Sequence, residues 1–329
     1  MDELNDYLDE LKTKIVSLNI YAWGNIHHWD EIEDWINNFN NSDIDFTDKH
    51  RANLLHLLSH FLYFGSSEMR ELLKSLYRDF FQRERIKEIR KENGDTKDLA
   101  LVSTKYEEVL NLTRFYGIGN PSESGTHLLY YFRQENNISK KLFSHSGEIF
   151  DIKSYSDSTK TEVSLSDLSI KHYVFLDDFA GSGQQAVRYS NQKNLIKNIK
   201  TFNPEAVISY FALVATEDGL SKIKSKCDFD FVDAVCILDK SFKCFSKNAR
   251  QFIVDNKYID KELTKDLCES NGRLLSTKPL GFGDGQILLS FNHNTPNNTL
   301  PVFWSSGNEN KPWKPIFKRY LKSYGSTWS

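Results

Sequence analysis

The chain has 329 residues, 39% hydrophobic and 26% charged, with a formal net charge of −3 and a pI near 6.3. That length suits one large domain or two modest ones, and the composition is that of a globular protein. The balance of charge excludes a dedicated non-specific nucleic-acid binder, which would be basic, and no apolar run approaches the roughly 20 residues that cross a bilayer.

The amino end, MDELNDYLDELKTK, is acidic and lacks the apolar core of a secretory signal, so a cytoplasmic location is expected. The four cysteines, Cys227, Cys236, Cys244 and Cys268, fit no CxxC spacing. Free thiols packed in the core are expected of them, as in a reducing compartment.

Residues 1 to about 112 read as helices without a strand. In RANLLHLLSHFLYF (51–64), Leu54, Leu58, Phe61 and Leu62 recur at helical spacing and Leu55 and Leu57 widen the stripe, which predicts a largely buried helix. His56 and His60 stand four apart, a spacing that can chelate a metal. No glutamate accompanies them and the helix is apolar, so a core role is expected. A second helix is predicted over 69–94, where Leu72, Leu73, Leu76 and Phe80 share the period and Gly94 ends a charged extension.

From about residue 112 the texture changes. The stretch TRFYGIGNPSESGTHLLYYFRQ goes from a short strand-like run into the loop GNPSESGTH (119–127) and then an apolar helical run. Ser124, Gly125 and Thr126 could donate to a phosphate there, or simply cap the helix. Residues 143–170 are rich in Ser, Asp, Thr and Lys, which predicts a long mobile loop able to close over a site. Apolar runs at 173–176, 206–215 and 231–238 alternate with helical segments, the pattern of a parallel sheet covered on both faces. After 272 the chain is rich in glycine, proline and asparagine, with a strand expected in QILLSF (286–291).

The stretch with the most chemistry is HYVFLDDFAGSGQQA (172–186). Apolar residues lead to Asp177 and Asp178 at the end of a predicted strand, where open α/β sheets bind their ligands. Two carboxylates there can accept hydrogen bonds from vicinal hydroxyls and help hold Mg²⁺, usually through water. The turn AGSG opens a helix whose first N–H groups and dipole suit a phosphate, with glycine allowing close approach. Acids for hydroxyls beside amides for phosphate describe a ribose 5-phosphate. Either piece alone also serves as an ordinary tight connection; the fused order is the more specific signal.

VFLDDFAGSGQQA resembles the phosphoribosyl-pyrophosphate (PRPP) motif of type I phosphoribosyltransferases. The resemblance implies an α/β parallel-sheet core over 112–240, an α-helical N-terminal subdomain over 1–111, and a C-terminal hood and tail over 241–329. It assigns the ribose hydroxyls and the metal to Asp177 and Asp178, which are also the catalytic candidates. Gly181, Ser182, Gly183, Gln184 and Gln185 then form the phosphate loop. Ser124, Gly125 and Thr126 fall on the pyrophosphate side, and Lys278, Gly281, Gly283 and Asp284 of KPLGFGDG on the hood side that covers the base.

KPLGFGDGQILLSFNHNTPNNTLPVFW (278–304) is similar to a narrower set, phosphoribosyltransferase-like effectors of prokaryotic conflict systems, including some retron anti-phage modules. That similarity implies a toxin acting at the C1 bond of a ribose-phosphate ligand, as a glycosyltransferase or an N-glycosidase on nucleotides, with Mg²⁺ and with PRPP or a nucleotide bound. The implied partner is a reverse transcriptase with its multicopy single-stranded DNA. Two positions depart from the family pattern: Gly181 stands where many members carry an acid, and Gln185 where many close the loop with Thr. Losing the acid removes the usual proton-transfer group, which leaves a PRPP or nucleotide sensor, or a purely structural part of a complex, as alternatives.

Overall fold

The computed structural model describes residues 3–41, 45–119, 124–154, 161–253 and 256–320. The chain divides into two compact units: Met1–Glu68 together with Leu238–Ser329, and Met69–Ile237.

The first unit begins with α1 (Glu3–Tyr21), which buries Leu11 and Ile15, and α2 (Trp29–Asn37), which buries Ile32, Trp35 and Ile36. Glu31 reaches back to the His28 amide at 3.1 Å and so caps the start of α2. The helix predicted over 51–64 is shorter than the leucine pattern suggests: α3 spans Asp48–Leu58 and the chain then turns at Ser59–His60. Leu62–Phe64 form a strand, β1, although the sequence predicts none before 112. Its aromatic residues favour a half-buried pleated surface, and its backbone finds a partner far along the chain. The histidine pair of α3 is held by protein groups. His56 Nε2 meets the Gln251 carbonyl at 2.6 Å and Nδ1 the Tyr7 hydroxyl at 3.2 Å, while His60 Nδ1 donates to the His56 carbonyl at 2.9 Å.

After α4 (Ser66–Ser75) the chain is in the second unit. The predicted helix over 69–94 is interrupted there by a π-helical segment, Leu76–Gln82, before α5 (Arg83–Glu92), and it stops at Gly94 as expected. Following α6 (Leu99–Asn111) come β2 (Thr113–Gly117) and α7 (Ser124–Glu135). The segment expected to be a long loop carries an antiparallel pair, β3 (Phe150–Ser154) with β4 (Thr161–Leu165). The alternation of Ile152 and Val163 with polar neighbours is a strand period hidden by the polar composition. Residues 155–160 lie outside the described residues.

The core sheet comes next: β5 (His172–Ala180), α8 (Gln184–Asn191), α9 (Leu195–Phe202), β6 (Val207–Thr216), α10 (Glu217–Lys226) and β7 (Phe231–Leu238). Its strand order is β2-β5-β6-β7, with β5 parallel to both β2 and β6. Strand residues alternate between faces. One face presents Tyr116, Tyr173, Phe175, Ile208 and Tyr210 to Ala186, Ile196, Ile199 and Ile223 of the helices α8 to α10. The other presents Phe115 and Phe211, which meet Phe81, Phe132 and Phe80 at ring-centroid distances of 5.2–5.9 Å. Burial on both faces is why the strands read as near-continuous apolar runs.

The chain then returns to the first unit with α11 (Lys261–Leu275), β8 (Leu289–Phe291), α12 (Pro301–Trp304) and the small pair β9 (Gly307–Asn308) and β10 (Lys311–Pro312). Strand β8 pairs in parallel with β1, Leu62 opposite Leu289 and Phe64 opposite Phe291. The core of this unit joins both ends of the chain: Trp35 stacks on Phe303 at 4.9 Å, and its Nε1–H donates to the Val302 carbonyl at 2.7 Å. Cys244 and Cys268 are buried in it as free thiols; Cys227 is buried in the other unit and Cys236 half-buried. No helix among the described residues is long and apolar enough to cross a membrane.

Candidate functional site

Strand β5 runs on through the acid pair to Ala180, so Asp177 and Asp178 sit inside its carboxyl-terminal part. The Asp178 side chain reaches that of Asp177, yet the environments of the two acids differ. Asp177, opposite Ala212 of β6, is 2% exposed and lies on the face packed by α8 to α10. Its Oδ2 accepts from the Tyr210 hydroxyl at 2.8 Å and its Oδ1 from the Asp178 amide at 3.0 Å. Burial, then the neighbouring charge of Asp178, raises the Asp177 pKa well above the ordinary carboxylate range, so this acid holds its proton more tightly than a free one. Asp178 is half-buried, and its Oδ1 accepts from the Phe179 amide at 2.9 Å. The pair is therefore a buried acid with a raised pKa beside a more accessible one.

The turn after the strand is shaped by two glycines from different segments. Gly183 adopts φ +66°, a left-handed conformation that β-carbon residues resist, and caps α8. A Cβ there would stand 2.6 Å from the carbonyl oxygen of Gly219 in the first turn of α10. A Cβ on Gly219 would in turn stand 2.4 Å from the carbonyl oxygens of Ala180 and Gly181. Thr216, the N-cap of α10, donates from Oγ1 to the Gly181 carbonyl at 2.6 Å and accepts from the Gly219 amide at 2.9 Å. The loop is thus clamped against the start of α10. Within it, Ser182 Oγ accepts from the Gln184 amide at 3.4 Å, while the amides of Ser182 and Gly183 make no hydrogen bond among the described residues. Gln184 and Gln185 are exposed at the head of α8. Unpaired amides at a helix start are the donors an anion needs.

The structure gathers Asp177, Asp178, Gly181, Ser182, Gly183, Gln184 and Gln185 onto one strand–turn–helix in the second unit. Ser124, Gly125 and Thr126 form the first residues of α7, after β2, and their side chains lie outside the described residues. Lys278, Gly281, Gly283 and Asp284 belong to the first unit. There Gly281 (φ +89°) and Gly283 (φ +65°) turn the chain, and a Cβ on Gly281 would stand 2.2 Å from the Asn298 carbonyl oxygen. Burial works to raise Asp284, but hydrogen bonds from Lys243 (2.6 Å) and Gln286 (2.9 Å) outweigh it and hold the carboxyl below its usual range. The asparagine-rich tail buttresses this turn, with Asn298 Nδ2 donating to the Phe282 carbonyl at 2.8 Å. Among the described residues no three His, Cys, Asp or Glu side chains cluster as a metal site.

Sequence reasoning missed Tyr210, Thr216 and Gly219. The only signal was positional: Thr216 ends an apolar strand run and Gly219 lies three residues on, as in a capped helix start. Nothing local says that this cap touches a loop 35 residues earlier.

A family model described as PRTase-CE matches residues 32–319. No curated protein matches the chain. Among solved structures, the AQ2163 protein from Aquifex aeolicus is similar at 14% identity and TM-score 0.29, over 62% of this chain and 84% of that one. The Helicobacter pylori xanthine-guanine-hypoxanthine phosphoribosyltransferase is similar at 9% identity and TM-score 0.26, over 54% of this chain and 88% of that one. Likenesses that distant carry no functional argument.

Proposed function

We propose, since this chain belongs to the PRTase-CE family, that it binds a ribose 5-phosphate ligand, PRPP or a nucleotide, and acts at its C1 bond. The observation that carries this reading is the clamped turn: a left-handed Gly183, amides of Ser182 and Gly183 without a partner among the described residues, and Asp178 at the end of the strand before it. The amides and the α8 dipole would hold the 5-phosphate. Asp178 would accept from the ribose hydroxyls, with Asp177 behind it fixing its position. Mg²⁺ fits this set, because it is held by one or two carboxylates together with substrate phosphates; Asp178 is the residue that would hold it, and the ion would offset charge on a departing pyrophosphate.

At C1 the bond to the leaving group, pyrophosphate or a base, breaks with its electron pair leaving on that group. A new bond forms to an acceptor nucleophile or to water, whose proton passes to solvent or to the departing base. With Gly181 where the family often carries an acid, the protein has little to offer proton transfer at this point, so charge stabilisation would do most of the work. In this reading the chain is a cytoplasmic anti-phage effector of retron type that modifies or depletes nucleotides, with a reverse transcriptase and its multicopy single-stranded DNA as partner.

Gly181 also favours a second reading. Its carbonyl is committed to Thr216, and a site without the acid suits a sensor that binds PRPP or a nucleotide and alters a partner's contacts.

The test is mass spectrometry of the nucleotide pool in cells producing the wild type or Asp178→Asn at matched abundance, with and without the reverse transcriptase and phage. A change confined to the wild type supports catalysis. Unchanged pools in every arm, with PRPP binding that shifts partner affinity, would replace it with the sensor. Toxicity undiminished in Asp178→Asn would sink both.

A further inference from the structure

The first unit carries a local reversal of charge. The chain is −3 overall, yet from Asp239 to Arg250 that one acid stands against four cations, Lys240, Lys243, Lys247 and Arg250. The backbone of this stretch is a run of tight turns. The amides of Lys243, Ser246, Ala249 and Phe252 donate to the carbonyls of Lys240, Lys243, Ser246 and Ala249, each three residues back, at 2.9–3.3 Å. Turns at that interval sort the side chains. Cys244, Phe245, Ala249 and Gln251 are buried, while Lys240, Lys247 and Arg250 are exposed and Lys243 is half-buried. Gln286 anchors the run from behind: its carbonyl takes the Cys244 amide at 2.9 Å and its side chain the Phe245 amide at 3.1 Å. The cations therefore stand on a fixed loop.

Helix α11 adds to the same place. Lys261 Nζ donates to the Ser246 carbonyl at 3.2 Å, and Lys265, one turn on, bears electrostatically on Asp284 beside Lys243. The acids next to the loop are already engaged, Asp284 by Lys243 and Gln286, Asp239 by Ser241 and Arg250. Lys240 and Lys247 pair with no acid among the described residues. Like charges crowded on a fixed loop repel one another, and an anionic polymer relieves that repulsion.

Arg250 narrows the choice of polymer. Its Cζ lies 3.3 Å from the centroid of the Phe242 ring, so the guanidinium rests on that ring. Nε and Nη2 donate to Ser241 Oγ at 2.9 and 2.7 Å, which fixes the plane. The side chain is still 41% exposed, so the face turned away from Phe242 is open. A fixed guanidinium plane flanked by lysines is a platform for an unpaired base whose neighbouring phosphates the lysines hold. A duplex keeps its bases stacked on one another, and an acidic side chain has no ring to stack.

We propose that the outer face of residues 240–250, with the first turns of α11, binds single-stranded nucleic acid, the lysines on phosphates and a base on Arg250. The overall acidity that rules out a dedicated nucleic-acid binder leaves room for one basic face. The proposal rests on this face alone and not on the ribose-phosphate reading of the glycine turn.

Fluorescence anisotropy of the full chain with a labelled oligothymidylate of about 20 nucleotides tests it. The buffer holds EDTA and no PRPP, so failure of the ribose-phosphate reading would not register. A Kd of about 10⁻⁵ M or tighter is expected at about 50 mM salt. With about three phosphates neutralised, log affinity should fall against log salt with a slope near −2, a loss of about 20-fold by about 200 mM. Lys240→Gln/Lys247→Gln, which breaks no ion pair, should weaken binding at least tenfold and bring the slope to about −0.7. The same charge change elsewhere, Lys197→Gln/Lys224→Gln, should alter affinity less than about twofold. Arg250→Lys keeps the charge but loses the stacking plane, so it should cost at least fivefold with the slope unchanged. Absence of binding, a slope unmoved in Lys240→Gln/Lys247→Gln, or an equal loss in Lys197→Gln/Lys224→Gln would overturn the proposal. So would polyglutamate or a duplex of the same length bound as tightly as the single strand, which would make the face one for an acidic protein or for a duplex.

Discussion

Tyr210 of β6 donates its hydroxyl hydrogen to Asp177 of β5 across 2.8 Å, deep on the face covered by helices. That bond gives the two acids of one sequence pair different work. Removing the hydroxyl in Tyr210→Phe leaves a buried acceptor unpaired, so the variant should lose about 1–3 kcal/mol of stability. Urea denaturation at neutral pH measures it.

Asp177→Asn should behave in the opposite sense. A carboxyl whose folded pKa is raised contributes stability that is complete below its unfolded value and is lost as pH rises through the folded one. Asparagine does not titrate and keeps an acceptor for Tyr210. Urea midpoints of variant and wild type should therefore diverge in the variant's favour as pH rises from about 4 to about 8. A wild type that gains on the variant over that range would contradict a raised Asp177.

Asp178→Asn separates binding from folding. Its half-buried side chain contributes little to the core, so the urea midpoint should stay within about 0.5 kcal/mol of wild type. PRPP affinity in the presence of Mg²⁺, read by calorimetry, should fall at least tenfold, about 1.4 kcal/mol.

The clamp on the glycine turn predicts a graded series. In Gly219→Ala the new methyl meets two backbone oxygens at 2.4 Å, so the turn must shift. A shift of the order of 1 Å costs about 10²-fold in an activity that depends on it. Thr216→Val removes the cap and the bond to Gly181, for about 1 kcal/mol of stability and a smaller loss of PRPP affinity. Equal PRPP affinity in all three proteins would show that the turn does not hold the ligand.

Acid should destabilise the fold early. His56 and His172 are each lowered to about 4, His56 chiefly by burial and His172 by burial and then Arg85. Groups with depressed folded values contribute stability present above their unfolded pKa of about 6.5 and lost as pH falls towards the folded one. The histidine contribution to the urea midpoint should be flat above about pH 7 and fall between about 6.5 and 4, offset in part by Asp177, whose contribution grows as pH falls. His172→Gln should flatten part of that slope.

The parts of the fold legible in the sequence are those whose reasons are local. Phe175 and Leu176 are buried on opposite faces, so both had to be apolar and β5 announced itself; Gly183 opens α8 where the glycine turn predicts a helix start. Strand β1 was hidden because three residues are too few to show a period and their partner is Leu289–Phe291. The π-helical turn at Leu76–Gln82 keeps a helical composition, so only geometry reveals it. At the site, Asp177 and Asp178 were visible as a pair but not as different acids. Their difference comes from Tyr210, 33 residues away and without a motif of its own.

The parallel pairing of Leu62–Phe64 with Leu289–Phe291 has a consequence during synthesis. The ribosome must add the whole second unit before the partner of β1 exists. At about 5–20 residues per second, the 225 residues from Gly65 to Leu289 take roughly 11–45 s. For that interval the second unit can fold in sequence, while the aromatic strand behind it waits with its edge and apolar side chains uncovered. A nascent chain halted before Leu289 would hold a finished sheet and an unfinished amino-terminal unit, the state in which chaperones are most needed.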